Sequence, residues 1–288
     1  MPPRLLLCTD MDRTIIPNGV AKEHSTARQD FKAFCDRPEV TLVYVTGRHQ
    51  TLVQKAITDY QLPLPDYVIS DVGTKIYQTQ TEDWHLLDQW ESTIDQDWHG
   101  KTHQDLLNIL SVLKGLELQE PSKQNTHKLS YYVSLSTDMD TLLKDADTVL
   151  KAQSVDASLI WSIDEAENIG LLDVLPKNAT KLHAIQFLQH FLDYSLDEVV
   201  FAGDSGNDLP VLTSEIHSVL VANASDDIKK QALQLALANQ TAEALYLAQN
   251  QSNASGNYSA GVLQGVGHYI KAFQDSIKGD TLSYDDSL

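Results

Sequence analysis

Short apolar runs alternate with longer amphipathic segments along most of this chain. The apolar runs lie at residues 5–8, 40–45, 67–70, 198–202 and 219–221, and segments with helical spacing lie at residues 25–35, 50–60, 181–191, 227–238 and 261–273. Apolar runs of this length are typical of buried parallel strands. Strands that alternate with helices form right-handed βαβ units. We therefore predict an α/β fold with a Rossmann-like parallel-sheet core.

The alternation changes character between residues 81 and 176. This region predicts helices at residues 104–114 and 139–151 and strands at residues 127–135, 158–163 and 170–174. We interpret it as an inserted α/β domain with its own small sheet. The predicted organisation is a core at residues 1–80 and 177–278, an inserted domain at residues 81–176, and a flexible tail at residues 279–288.

Three tryptophans, Trp84, Trp90 and Trp98, lie near the start of the predicted insertion. They have two interpretations. They either cover the core of a small subdomain or form a surface on which a carbohydrate stacks.

Polar clusters directly follow three of the predicted core strands: Asp10 and Asp12, then Thr46-Gly47-Arg48, then Gly203-Asp204-Ser205-Gly206-Asn207-Asp208. Ligands of open α/β sheets bind beyond the carboxyl ends of the strands. Strand alternation would place Asp10 and Asp12 on one face, where two carboxylates repel unless a cation or a shared proton relieves them. A hard cation such as Mg²⁺ is the simplest relief. Turn and capping chemistry explains any one cluster, but not three at successive strand ends.

The formal net charge of −19 argues against nucleic acid or an anionic membrane as a partner. An anionic substrate would then need a locally positive site. Two cysteines, Cys8 and Cys35, give no disulfide framework, and Cys8 is expected to be a buried small hydrophobe. No signal-peptide core or membrane-length apolar run is found in the sequence, so we predict a cytoplasmic protein. We also expect a monomer.

In this order the three clusters resemble the haloacid dehalogenase superfamily, whose phosphatases use an aspartyl nucleophile. The resemblance implies that Asp10 attacks phosphorus and that Asp12 acts as general acid and base. It implies that the Thr46 hydroxyl and neighbouring backbone groups hold phosphate oxygens. The further substrate contacts that it implies are Gly47, Arg48 and Asn207.

The resemblance also implies an Mg²⁺ site and a lysine that neutralises the phosphoryl group. The metal ligands would be Asp10, Asp204, Asp208 and the carbonyl oxygen of Asp12, with Asn207 as an alternative support for this shell. The lysine would be Lys181, at the start of a predicted helix, rather than Lys177.

The chain departs from the superfamily pattern at Arg13 and Leu182. Relatives commonly carry Gly or Asn at the first position and Gly at the second. Neither change removes a reacting group, but Arg13 would lower backbone freedom and bring a cationic side chain near the cleft, where it could narrow the substrate entrance.

The insertion after the third strand matches the position of the larger α/β cap in the sugar-phosphatase branch. The resemblance implies that residues 1–80 and 177–278 form the catalytic core and that residues 81–176 form an inserted, sugar-binding α/β cap domain. Within that branch the chain resembles sucrose-phosphatases, in the stretches at residues 71–77, 127–131, 173–176 and 261–265. This similarity implies hydrolysis of sucrose 6-phosphate to sucrose and phosphate. The candidate sugar contacts in the cap are Lys128, Ser130, Tyr132 and Asp173, with Thr74 and Lys75 at its entry.

Several alternatives stay open from sequence. The substrate could be mannosylfructose phosphate, glucosylglycerol phosphate, phosphomannose or a polyol phosphate. The same chemistry could transfer the phosphoryl group to another sugar, or the fold could serve as a non-catalytic sugar-binding module.

Overall fold

The computed structural model describes residues 4–80, 83–164, 167–251 and 254–274. The chain divides into two compact units. The first comprises the chain up to Val72, residues 76–86 and the chain from Ile185 onward, and the second comprises Gly73–Lys75 and Leu87–Ala184. The predicted tail at residues 279–288 and the predicted first residue of the cap, Thr81, lie outside the described residues. Within the described ranges, no helix has both the length and the apolar character needed to cross a membrane.

The strands of the described chain belong to two sheets. They are β1 (Leu5–Thr9), β2 (Val40–Val45), β3 (Tyr67–Ser70), β4 (Lys75–Gln78), β5 (His85–Leu86), β6 (Glu117–Leu118), β7 (Leu129–Val133), β8 (Ala157–Asp164), β9 (Ile169–Pro176), β10 (Val199–Gly203), β11 (His217–Leu220) and β12 (Leu245–Leu247). The larger sheet has eight strands in the order β12-β11-β10-β1-β2-β3-β4-β5, and the smaller has four in the order β6-β7-β9-β8.

The α-helices of the described chain are α1 (Ala27–Cys35), α2 (Gln50–Tyr60), α3 (Asp88–Asp95), α4 (His103–Leu110), α5 (Met139–Ala152), α6 (Lys181–Phe191), α7 (Leu209–Leu212), α8 (Asp226–Ala238) and α9 (Tyr258–Tyr269). In the first unit, α1, α2 and α9 cover one face of the large sheet. Phe31 of α1, Val53 of α2 and Val262 of α9 share one core cluster with Leu5 and Leu7 of β1.

Strand β1 is buried on both faces. All five of its residues are buried, including Leu6 and Cys8, which alternate with Leu5 and Leu7 and so point to the opposite side. Burial raises the pKa of the Cys8 thiol, as expected for a cysteine that packs as a small hydrophobe. The pairs β10/β1, β1/β2, β2/β3 and β10/β11 are parallel, which confirms the predicted parallel-sheet core.

The second unit packs helices α4 and α5 on one face of an antiparallel sheet. Its core includes Leu106 of α4, Leu142 of α5 and Leu129 of β7. Trp98 belongs to this core, and Trp90 is equally buried, with its indole N–H donating to the Gly73 carbonyl at 2.9 Å. The covering interpretation of these two tryptophans is therefore confirmed.

The third tryptophan, Trp84, does not belong to the small unit. It packs against the core cluster of the first unit, with its ring 6.0 Å from that of Tyr77. The reason is that the antiparallel pair β4/β5 extends the large sheet beyond β3, and the sequence pattern did not predict these two strands.

Candidate active site

Three neighbouring parallel strands bring the polar clusters of the first unit to one edge of the sheet. Asp10 follows β1, Thr46 follows β2 and Asp204 follows β10, and the order of these strands is β10-β1-β2. The backbone N–H of Asp10 still donates to the Ala202 carbonyl at 2.8 Å, so Asp10 continues the ladder at the carboxyl end of its strand. This is the edge where α/β sheets bind ligands.

Asp10, Asp204 and Asp208 form a buried cluster of carboxylates. Each offers one oxygen, and these oxygens all lie within 4.8 Å of one another. The exposed fractions are 5% for Asp10, 3% for Asp204 and 0% for Asp208. Carboxylates this close repel one another unless a cation or proton compensates them. Three oxygen donors converging in a buried site fit a hard divalent cation such as Mg²⁺.

The position of Asp208 is fixed by the loop that follows β10. Its Oδ2 accepts the backbone N–H groups of Asp204 and Ser205, both at 3.1 Å, and the Ser205 hydroxyl at 3.2 Å. Its carboxyl carbon also lies against Gly203, where an added Cβ would come within 2.6 Å of it. The capping interpretation of this motif is thus partly correct, because Asp208 caps a turn and also joins the carboxylate cluster.

The side chain of Asp12 lies apart from this cluster and binds Arg48. Its Oδ2 accepts from Nε of Arg48 at 2.7 Å and its Oδ1 accepts from Nη2 at 2.6 Å. Asn18 donates to the same Oδ1 at 2.7 Å. The hydrogen bond to Asp12 raises the pKa of Arg48, because the pairing favours the charged guanidinium. The suggested metal contact of Asp12 involves its carbonyl oxygen and stays a prediction.

The other predicted phosphate contacts occupy the same edge of the sheet. Thr46 is buried, and its hydroxyl accepts the backbone N–H of Arg48 at 3.2 Å, while Gly47 is exposed. Asn207 is exposed, and its side-chain oxygen accepts the Ser205 hydroxyl at 2.9 Å. Their contacts with a substrate stay predictions.

Arg48 and Asn18 both contact Asp12. The guanidinium of Arg48 engages the Asp12 carboxylate, and the contact of Arg48 with substrate stays a prediction. Asn18 was not among the predicted site residues, although it donates to Asp12 and accepts the backbone N–H of Arg13 at 2.9 Å. The Pro17-Asn18-Gly19 turn so close to Asp12 was the available signal.

The predicted cap residues lie in the second unit. Lys128, Ser130 and Tyr132 alternate with the core residues of β7, so they project from the face opposite the core of this unit. Ser130 pairs in register with Asp173 of β9 and donates to its carboxylate. Lys128 lies 3.9 Å from the same carboxylate, whereas the Tyr132 hydroxyl donates to Glu120 at 2.8 Å. Of the four predicted sugar contacts, the structure therefore brings Lys128, Ser130 and Asp173 together.

A further polar network in the second unit, around the buried side chains of Lys75 and His127, was not predicted. Lys75 and His127 both contact the carboxylate of Glu91, and His127 also lies 3.1 Å from Asp95. Thr74, at the predicted entry to the cap, accepts the Asn125 amide at 3.0 Å. No spacing pattern marks Glu91 or Asp95 in the sequence, because these contacts join helix α3 to a strand and a loop elsewhere in the chain.

The predicted phosphoryl-binding lysine also belongs to the second unit. Lys181 is the first residue of α6 and is 4% exposed, whereas Lys177 is exposed. Burial of a charged amine requires polar partners, so this difference favours Lys181 for a specific role. The role itself stays a prediction.

Comparison with known proteins was made at the level of family, sequence and structure. The chain matches the family model of sucrose-6F-phosphate phosphohydrolase over residues 3–270. It is 46% identical over 271 residues to a protein of Nitrosococcus oceani that carries the general name HAD-like hydrolase, a match covering 94% of this chain and 73% of that one. It is 28% identical over 274 residues to sucrose-phosphatase 2 of Nicotiana tabacum, which covers 92% of this chain and 59% of the tobacco protein. The chain thus spans less than two thirds of the tobacco protein.

Among solved structures, the sucrose-phosphatase of Synechocystis sp. PCC6803 in complex with sucrose and phosphate is similar in fold. The TM-score is 0.71 at 23% identity, and the match covers 93% of this chain and 98% of that one. The family match is consistent with the structure, which has a parallel-sheet core and a cluster of carboxylates at the ends of its strands. The chain is a phosphatase of the haloacid dehalogenase superfamily and belongs to the sucrose-6F-phosphate phosphohydrolase family.

Proposed function

We propose that this chain is an Mg²⁺-dependent phosphatase that hydrolyses sucrose 6-phosphate to sucrose and phosphate. The observation that carries the proposal is the buried cluster of Asp10, Asp204 and Asp208 at the carboxyl ends of parallel strands. A carboxylate that must attack an anionic phosphate needs its own charge compensated, and this cluster fits a divalent cation.

In the proposed reaction, Asp10 attacks phosphorus and the bond from phosphorus to the sugar oxygen breaks. Asp12 donates a proton to that oxygen, and sucrose leaves. Asp12 then takes a proton from a water molecule, whose oxygen attacks the phosphoryl group on Asp10. Phosphate is released and both carboxyl groups return to their starting state.

The other site residues are assigned to orienting the reacting groups and to binding the phosphate. Arg48 donates to both oxygens of Asp12, which fixes the plane of that carboxyl group. The Thr46 hydroxyl, the backbone of Gly47, Asn207 and Lys181 are assigned to phosphate oxygens. When bound to Asp10, Asp204, Asp208 and the Asp12 carbonyl, Mg²⁺ would neutralise charge on the transferring phosphoryl group.

The sugar is assigned to the second unit. Lys128, Ser130 and Asp173 offer donors and acceptors from adjacent strands, on the face opposite the core of that unit. Such a set suits a substrate with many hydroxyls, because a substrate that leaves these hydrogen-bonding groups unpaired would bind less tightly. Tyr132 is assigned to the same surface by strand alternation. A cytoplasmic location and a monomeric state are retained as predictions.

The test is a panel of sugar phosphates assayed with and without Mg²⁺. We expect the highest kcat/KM for sucrose 6-phosphate, above mannosylfructose phosphate, glucosylglycerol phosphate and monosaccharide phosphates, and loss of turnover without the metal. Asp204→Asn should remove turnover with every substrate. A preference for a monosaccharide phosphate would overturn the disaccharide assignment, and turnover unaffected by metal removal would overturn the Mg²⁺ assignment.

A further inference from the structure

Arg13 places a guanidinium directly on the carboxylate cluster. Its Nε lies 3.1 Å from Oδ2 of Asp204. The Arg13 side chain is 55% exposed, whereas Asp204 is 3% exposed, so the cation reaches a buried acid from the solvent side. The proposed reaction assigns no step to this residue.

The backbone of Arg13 is held in a conformation that aims the side chain. Its φ is +56°, in the left-handed region that few residues other than Gly, Asn and Asp adopt readily. Its N–H donates to Asn18 at 2.9 Å, and its carbonyl accepts the Asn223 amide at 2.6 Å. Asn223 in turn accepts the backbone N–H of Tyr258 at 2.8 Å. Two separate loops therefore fix the point from which the guanidinium projects.

This contact competes with a metal for the same acid. A guanidinium on Asp204 compensates part of the negative charge that the cluster concentrates. A divalent cation bound by the cluster would meet that positive charge at close range and would need the same carboxylate. A metal ion must then either displace the Arg13 side chain from Asp204 or bind next to its positive charge. Either requirement lowers the affinity of the cluster for the metal.

We propose that Arg13 is a built-in competitor of the divalent cation, which compensates Asp204 in the metal-free enzyme and weakens metal binding. The inference rests on the proposed metal site. Arg13 takes no part in the reaction itself, and its effect is on the affinity of the cluster for the metal. When a metal displaces the Arg13 side chain, the backbone contacts of Arg13 keep that side chain next to the cluster.

The test is calorimetric titration of the full chain with Mg²⁺ and, separately, with Ca²⁺. Arg13→Asn removes the cation and keeps a residue that tolerates positive φ, so the loop should fold as before. Arg13→Lys keeps the charge without the planar fork. Lys230→Asn, an exposed lysine on α8, removes the same charge elsewhere. Circular dichroism spectra check that all variants fold.

We expect Arg13→Asn to bind Mg²⁺ about tenfold more tightly than the unaltered chain, with Arg13→Lys in between and Lys230→Asn unchanged. The rise in Tm on adding Mg²⁺ should be largest for Arg13→Asn, smaller for Arg13→Lys and smallest for the unaltered chain. Equal or weaker binding by Arg13→Asn, with clear binding by the unaltered chain, would overturn the role of Arg13 alone. No binding by any variant would overturn the metal site and this inference with it.

Discussion

Arg48 and Asp12 form a two-point ion pair at the carboxyl end of the central strands. Nε and Nη2 of the guanidinium each meet a different carboxylate oxygen, at 2.7 and 2.6 Å. A fork of this kind fixes the plane of the carboxyl group as well as its position. For a group that must first donate a proton and then accept one, this orientation is part of the chemistry.

Arg48→Lys should lower kcat by about 10–100-fold while KM changes little, because a lysine retains the charge but cannot hold both oxygens. Steady-state phosphate release with sucrose 6-phosphate measures both constants. Arg37→Lys, the same substitution at a partly exposed arginine of the first unit, is the control. A normal kcat for Arg48→Lys would show that the two-point contact is dispensable.

Gly203→Ala should displace Asp208 and weaken the carboxylate cluster. The added Cβ would lie 2.6 Å from the carboxyl carbon of Asp208, whereas at Gly206 it would lie 3.6 Å from Ile228 in ordinary contact. We expect Gly203→Ala to lose about 1–3 kcal/mol of unfolding free energy and most of the activity. Urea unfolding and phosphate release measure these effects. Gly206→Ala should be close to normal, and equal behaviour of the two variants would contradict the packing account.

Asp173→Ala should raise KM for sucrose 6-phosphate by about tenfold, because a partly buried acceptor for hydroxyl groups is lost. The small substrate p-nitrophenyl phosphate carries no sugar hydroxyls, so its kcat/KM should be unchanged. The control is Asp145→Ala, which removes an exposed carboxylate from α5 of the same unit. A parallel loss with both substrates would place Asp173 outside sugar recognition.

Glu198→Gln tests a stability contribution far from the chemistry. Arg4 donates from Nε to Glu198 at 2.9 Å, and this hydrogen bond lowers the pKa of Glu198 to about 2 from 4.5. Because the pKa of Glu198 is lower in the folded chain than in the unfolded chain, its ionised form stabilises the fold at pH values above the unfolded-state pKa. This stabilisation is lost as the pH falls toward the folded-state pKa. The variant should therefore have a lower Tm than the unaltered chain at neutral pH, and the gap should narrow as pH falls below 4.5.

The effect of Glu198→Gln should be modest, because the Glu198 side chain is 27% exposed and solvent screens the pair. Glu243→Gln, which removes an exposed carboxylate, should show no such pH-dependent gap. A Tm difference that widens toward acid pH would contradict the assigned sign.

The parts of the fold that follow from local pattern were predictable. The helix at residues 50–60 and the strand at residues 40–45 match the observed α2 and β2, because each has a strong apolar period and clear flanking residues. The short strands β4, β5 and β12 were not predicted, since a two- to four-residue strand depends on its neighbours in the sheet for stability.

The site shows the same division between local and tertiary signals. Asp10 and Asp204 were predictable because parallel strands bring their carboxyl ends together. The ion pairs Arg48–Asp12 and Arg13–Asp204 were not predictable, because the direction of each arginine side chain depends on tertiary contacts that the order of residues does not specify.

The central claim is that Asp10 carries the phosphoryl group, and it is tested most directly by trapping that intermediate in Asp12→Asn. This variant should accept phosphoryl from p-nitrophenyl phosphate, whose leaving group needs no proton, but should hydrolyse the phosphoenzyme slowly. After an acid quench, mass spectrometry of the peptides should find one added phosphoryl group on the peptide that contains Asp10, and none in Asp10→Asn,Asp12→Asn. A protein that turns over substrate with no phosphoryl group on Asp10, or with the group on another residue, would contradict the account.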